Sequence, residues 1–143
     1  MGVTNFDEYR DVFVVADTID DVVHPVTYEL IGQARRIAKE LGQLVQVMLL
    51  GENVQSEAEE LVAHGADIVH VFESPLLKYY TTDGYTKVLT DFFEDHKPNI
   101  LLIGATNNGR DLAPRMSGRM QNGVVADCTI LTVDTEEGLV EWT

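Results

Sequence analysis

A chain of 143 residues fits one compact domain and can bury roughly 68–70% of its unfolded surface, enough for a core without disulfide or metal staples. Ten Lys and Arg against 24 Asp and Glu leave a net charge of −14, which makes a nucleic-acid backbone a poor partner. A content of 45% hydrophobic residues is too high for an acidic disordered tail. The single cysteine, Cys128, excludes an internal disulfide framework and a cysteine-built zinc cage.

Met1 to Arg10 is polar and acidic, unlike a basic segment followed by an apolar run, so a cytoplasmic or mitochondrial-matrix address is expected. Gly2 opens a myristoylation-like start, but Phe6 stands where Ser or Thr is required. The first apolar run, Val12 to Ala16, reads as a strand covered on both faces. From Thr27 to Leu41, Leu30, Ile31, Ala34, Ile37, Ala38 and Leu41 repeat at helical spacing, with Pro25 suited to the start and Gly42 to the stop. Leu44 to Leu50 is the second strand, and its length is far below what a bilayer demands, so no membrane span is expected.

Ser56 and Glu59 have the spacing of a capping box, and Gly65 can close a short helix at about His64. Ile68 to Phe72 is the third strand. A helix from Asp83 to Asp95 is expected to bury Val88, Leu89, Phe92 and Phe93 before Pro98 ends the pattern. Ile100 to Ile103 is the fourth strand. In the last helix Leu112, Ala113, Met116 and Met120 line one face, and Pro114 argues that it begins no earlier than about Arg110. Cys128 to Val133 is the fifth strand, with Cys128 a buried small hydrophobe, and Leu139 to Thr143 is a strand-like tail that stops without a turn or cap, as in a piece of something longer.

The alternation of strand and helix predicts one α/β domain over residues 1–143, three layers around a mainly parallel five-stranded sheet of order 3-2-1-4-5, with right-handed crossovers. Strands one and four are then adjacent at the centre, with Val14 near Leu102. Ligands of such sheets sit beyond the carboxyl ends of the strands where the order reverses. The lips of that crevice are Asp17-Thr18 and the segment from Gly104 to Gly109, which runs into a helix N-terminus suited to an anion. The same segment also reads as a tight turn with glycines for clearance.

Gly104 and Gly109 share the spacing of a P-loop, but Arg110 and Asp111 stand where lysine and a hydroxyl are needed. Asp111 is expected to cap the helix, and Arg110 to reach a carboxylate or phosphate across the crevice, its own domain or a partner supplying the group. Arg110, Arg115 and Arg119 follow one helical stripe, an interface or a solvated face. Gly104, Ala105, Thr106, Gly109, Arg110 and Asp111 are therefore the candidate cofactor or interface residues.

His24, His64, His70 and His96 fall in four different elements and form no ligand pair, and no nucleophile elbow is present, so neither metal nor catalytic residues are expected. Tyr79, Tyr80 and Tyr85 could stack on a flat ligand, though packing over the sheet end is the simpler reading. A phosphoacceptor receiver needs an aspartate ending strand three and a later lysine; Phe72-Glu73-Ser74 ends the strand and no lysine follows Pro98.

The run from Pro98 to Arg115, with Gly104-Ala-Thr-Asn-Asn-Gly-Arg-Asp111 inside it, resembles the α subunit of electron transfer flavoproteins. The likeness extends to Gly123 to Thr129, Pro25 to Leu30, Gly65 to Asp67 and the tyrosine segment, nearly the whole chain. The resemblance implies the amino-terminal domain of that subunit, a fold akin to adenine-nucleotide α-hydrolase and universal-stress-type domains, packed as a heterodimer against a β subunit. It implies an electron carrier without catalysis of its own. FAD, held by a separate carboxyl-terminal domain missing here, would pass electrons from donors such as the acyl-CoA dehydrogenases of fatty acid β-oxidation. A nucleotide-binding domain holding ATP or AMP near Gly104 to Gly109 is the competing reading.

Overall fold

The structure, a computed structural model, describes residues 10–96, 98–104, 106–122, 129–134 and 138–142. In chain order the elements are β1 (Val12–Val15), β2 (Thr18–Ile19), β3 (Val22–Val23), α1 (Val26–Leu41), β4 (Val45–Gly51) and α2 (Gln55–Ala63). They continue with β5 (Ile68–Glu73), a 3-10 turn (Pro75–Leu77), α3 (Thr82–Asp95), β6 (Ile100–Gly104), α4 (Asn107–Asn122), β7 (Thr129–Asp134) and β8 (Gly138–Trp142).

Alternate residues of the central strands feed two cores, which makes three layers. Val12, Val14, Val47, Leu49 and Leu102 meet Leu30, Ile31 and Ala34 of α1 and Leu61 of α2. Phe13, Val15, Met48, Leu101 and Ile103 meet Leu89 and Phe93 of α3 and Leu112 and Met116 of α4. The near-continuous apolarity of β1, β4 and β6 follows from this two-sided burial.

The sheet order is β5-β4-β1-β6-β7-β8. Its first five members are the expected parallel strands in the expected order, with Val14 opposite both Val47 and Leu102. The strand-like tail adds a sixth member: β8 pairs antiparallel with β7 and extends the sheet at its edge. The hairpin of β2 and β3 is a second addition. Asp20 (φ 51°) and Asp21 (φ 65°) form its two-residue turn, a left-handed pair that aspartate tolerates. Two-residue strands are too short to leave a periodic signal.

Helix ends correct three expectations. The Ser56–Glu59 capping box does not form, because α2 starts at Gln55 after an N-cap, Val54, that makes no side-chain bond. A carboxylate from β5 serves this helix start, where Glu73 Oε2 accepts from Val54 N at 2.9 Å, while Glu57 in the first turn of α2 accepts instead from Val23 N of β3 at 2.9 Å. The last helix begins at Asn107, three residues before the limit set by Pro114, which lies inside it. Pro114 and Arg110, whose carbonyl the proline leaves without its helical N–H, are both exposed, so water can serve that group. The third correction, at Asp111, belongs to the site below. Gly42 closes α1 as expected, in the left-handed conformation at φ 66°.

Cys128, Ala105 and the side chain of Met120 lie outside the described residues.

Candidate functional site

The crevice at the carboxyl ends of β1 and β6 is the expected switch point, and its two lips touch. Asp17 leaves β1 with its N–H given to Thr27 Oγ1 (3.0 Å) and its carbonyl accepting from His24 N (2.7 Å). These two bonds aim its carboxylate across the crevice, where Oδ2 accepts from the Thr106 hydroxyl at 2.5 Å. Thr106 is also the N-cap of α4: its Oγ1 accepts from Gly109 N (3.0 Å) and its carbonyl from Arg110 N (2.8 Å). The helix start that could draw an anion from solution thus already faces a carboxylate of the same chain.

The two glycines have a packing reason. A Cβ on Gly109 would lie 1.8 Å from the carbonyl oxygen of Gly104, and one on Gly104 would meet Val26 Cγ1 at 3.1 Å. Together they let α4 start almost in contact with the end of β6. Between the lips remains a void of about 20 Å³ bordered by Asp17, Thr18, Tyr80, Tyr85 and Gly109. That is room for about one water, whereas small-molecule pockets span roughly 300–1,000 Å³. Outside it lies an open groove of about 410 Å³ lined by Asp17, Ile19, His24, Thr106, Asn107 and Arg110, among others.

Of the candidate residues, Gly104, Thr106 and Gly109 come together at the crevice, and exposed Arg110 borders the outer groove. Asp111 is elsewhere, and Thr106 holds the capping position expected for it. Asp111 accepts hydrogen bonds from the Thr82 and Tyr80 hydroxyls, the latter at 2.7 Å. The Thr82 bond first, then the Tyr80 bond, hold its carboxyl below the usual carboxylate range. Burial, reinforced by the Asp111 bond, pushes the Tyr80 phenol well above its usual range. Tyr80 rests edge-to-face on Tyr85 at 5.1 Å, and Tyr85 donates to the Leu77 carbonyl at 2.9 Å, so these two pack over the sheet end while Tyr79 is exposed. Arg115 pairs with Asp83 at 3.3 Å, both exposed, a contact of little energetic weight. Among the described residues no three His, Cys, Asp or Glu side chains are grouped to hold a metal, and no helix is long and apolar enough to cross a membrane.

The Asp17–Thr106 bond links residues 89 positions apart, so no local pattern could reveal it. Replacing Thr106 with valine is expected to cost about 2 kcal/mol by deleting the cap acceptor and leaving Asp17 without its donor, while Thr106→Ser stays within about 1 kcal/mol. Urea unfolding of the two variants measures this. Equal losses would show that the hydroxyl contributes nothing.

Residues 12–143 match the family described as the electron transfer flavoprotein domain. The chain belongs to that family. It is 44% identical over 136 residues to the electron transfer flavoprotein subunit alpha of Megasphaera elsdenii, covering 95% of this chain and 40% of that protein. It is 45% identical over 133 residues to the subunit LctC of a lactate dehydrogenase (NAD(+),ferredoxin) of Acetobacterium woodii, covering 93% and 32%. The chain therefore spans well under half the length of these two relatives. A solved universal stress protein from Archaeoglobus fulgidus, in complex with dAMP, superposes at a TM-score of 0.49 with 16% identity, covering 73% of this chain and 89% of that one.

Proposed function

We propose that this chain is the scaffold and partner-binding part of an electron transfer flavoprotein α subunit, and that it holds no redox cofactor itself. The observation that carries this reading is the Asp17–Thr106 bond across the switch-point crevice. It sets a carboxylate at the start of α4, where it repels phosphate, and leaves a void of about 20 Å³. A flavin or nucleotide needs an enclosed pocket with donors for its phosphates, whereas the groove of about 410 Å³ outside the void is open and has the same Asp17 in its wall. FAD then sits in another part of the full protein and carries electrons from dehydrogenases, acyl-CoA dehydrogenases being one class of donor. The family relation and the relatives named for electron transfer support this. So does the spread of their names, in which one subunit type serves a lactate dehydrogenase.

In this reading a β subunit docks at the carboxyl end of the sheet, and Arg110, based on the rigid start of α4, forms a charged contact there. Arg110→Ala is expected to weaken association with the β subunit by about 1–3 kcal/mol, as seen by titration calorimetry. Unchanged affinity would confine Arg110 to a local role.

The decisive experiment adds excess FAD to the purified chain, removes free flavin on a desalting column and records the absorption spectrum. A colourless protein is expected. A stoichiometric flavin band surviving the column would make the chain a flavin-binding module and overturn the scaffold reading.

A further inference from the structure

Two histidines share one aromatic ring at the β5 edge of the sheet. His70 lies in β5, which pairs with β4 and ends the sheet on that side. Its ring centroid is 4.8 Å from that of Phe92 in α3, and 6.5 Å from that of Phe13 with the planes 14° apart. His96, which ends α3, is stacked on Phe92 at 4.0 Å and 5°, and is 5.9 Å from His70.

A hydrogen-bond chain fixes the proton on His70. The Gln46 amide nitrogen donates to Asp11 Oδ2 at 2.7 Å, which turns Gln46 Oε1 toward His70 Nε2 at 2.6 Å. An oxygen there accepts only, so Nε2 carries the hydrogen and Nδ1 is the atom left to take a further proton. That proton would place a charge among Phe13, Phe92 and a neutral amide. Among the described residues, the ionisable groups recorded against this seam are Asp11, one bond beyond Gln46, and His96, which when protonated is a like charge. Asp91 of α3 is exposed and bound to Lys87 at 3.0 Å.

We propose that the His70–Phe92–His96 stack is an acid-sensitive latch, which when neutral fastens β5 and the end of α3 to the sheet and when protonated releases that edge. Burial, and then the neighbouring His96, already hold His70 below the usual histidine range. An opened edge, with His70 near the ordinary histidine pKa of about 6.5, therefore binds more protons than the closed one. The stability given by neutral His70 is present above about pH 6.5 and is lost as pH falls below it.

The test is native-state amide exchange, expressed as protection factors, with the side-chain titration of His70 and His96 followed by NMR. Between about pH 7.5 and 5.5 the β5 amides are expected to lose up to roughly tenfold in protection while those of β6 hold, the ratio set by an ordinary histidine in the open state. His70→Gln keeps a donor for Gln46 and cannot take up the proton, so it should abolish the pH response of β5. An undiminished response in that variant, or equal loss in β5 and β6, overturns the latch. Should His70→Gln fail to fold, the wild-type titration decides: His70 protonating below 6.5 supports the latch, and at or above 6.5 refutes it.

Discussion

Gly109→Ala is expected to lower the folding stability of this chain by about 4 kcal/mol, at the top of the range for single substitutions. The added Cβ would lie 1.8 Å from the Gly104 carbonyl oxygen and 2.9 Å from its carbon, and both are backbone atoms that no rotamer change can move aside. Relief requires α4 to back away from β6. That motion breaks the 2.5 Å bond between Thr106 and Asp17 and lifts Leu112 and Met116 from the core they share with Phe93 and Ile103. Gly104→Ala is the control, because the nearest atoms to its Cβ belong to the Val26 and Leu30 side chains, at 3.1 and 3.7 Å, and a smaller loss of about 1 kcal/mol is expected. Urea unfolding of both variants gives the comparison. Equal losses would mean that the start of α4 is not held against β6 as tightly as the geometry says.

The second large effect lies at the opposite end of the sheet, where Asp11 joins the beginnings of three strands. Its carboxylate accepts from Leu44 N (3.0 Å) and Gln46 Nε2 (2.7 Å), its N–H goes to Gln43 Oε1 (2.8 Å), and its carbonyl accepts from Asn99 N (3.1 Å). It does this at φ 78°, a left-handed backbone unusual for a residue with a Cβ. Asp11→Ala removes both carboxylate bonds, strands the amide of Gln46, which is only 9% exposed, and keeps the backbone cost, so a loss of about 3 kcal/mol is expected. Asp11→Gly removes the same bonds but relieves the backbone, and should recover about 1 kcal/mol of that. Asp11→Asn, which tolerates the conformation and keeps an acceptor, should lose about 1 kcal/mol. Equilibrium denaturation ranks the three, and alanine no worse than asparagine would show that the carboxylate does not tie these strands together.

The parallel strands were legible because two-sided burial makes β1, β4 and β6 almost wholly apolar, and the helices were legible because one buried face repeats every three to four residues. The helix stop at Gly42 was equally local, since only a residue content at φ 66° ends α1 there. With the half-Rossmann order assumed for these strands, the switch point fell between Asp17 and Gly104, where the structure has it. Wherever chain neighbours set the outcome, composition and spacing were enough.

Tertiary structure decided what distant residues do for one another. Asp111 looked like a helix cap and instead accepts from Thr82 and Tyr80, because α3 packs beside α4 and brings the hydroxyls of Thr82, its first residue, and Tyr80, just before it, to a place that no spacing could announce. Ser56 and Glu59 had a capping pattern, yet the N–H of Val54 goes to Glu73 of β5, and Glu57 of α2 serves Val23 in the hairpin instead. The helix start at Asn107 overrides Pro114, since the cap on Thr106 is tied to Asp17 across the crevice and the proline falls where water can take over. Hydrophobic periodicity is a property of one segment and survives in the sequence; a hydrogen bond between residues 89 positions apart exists only once the sheet has brought them together.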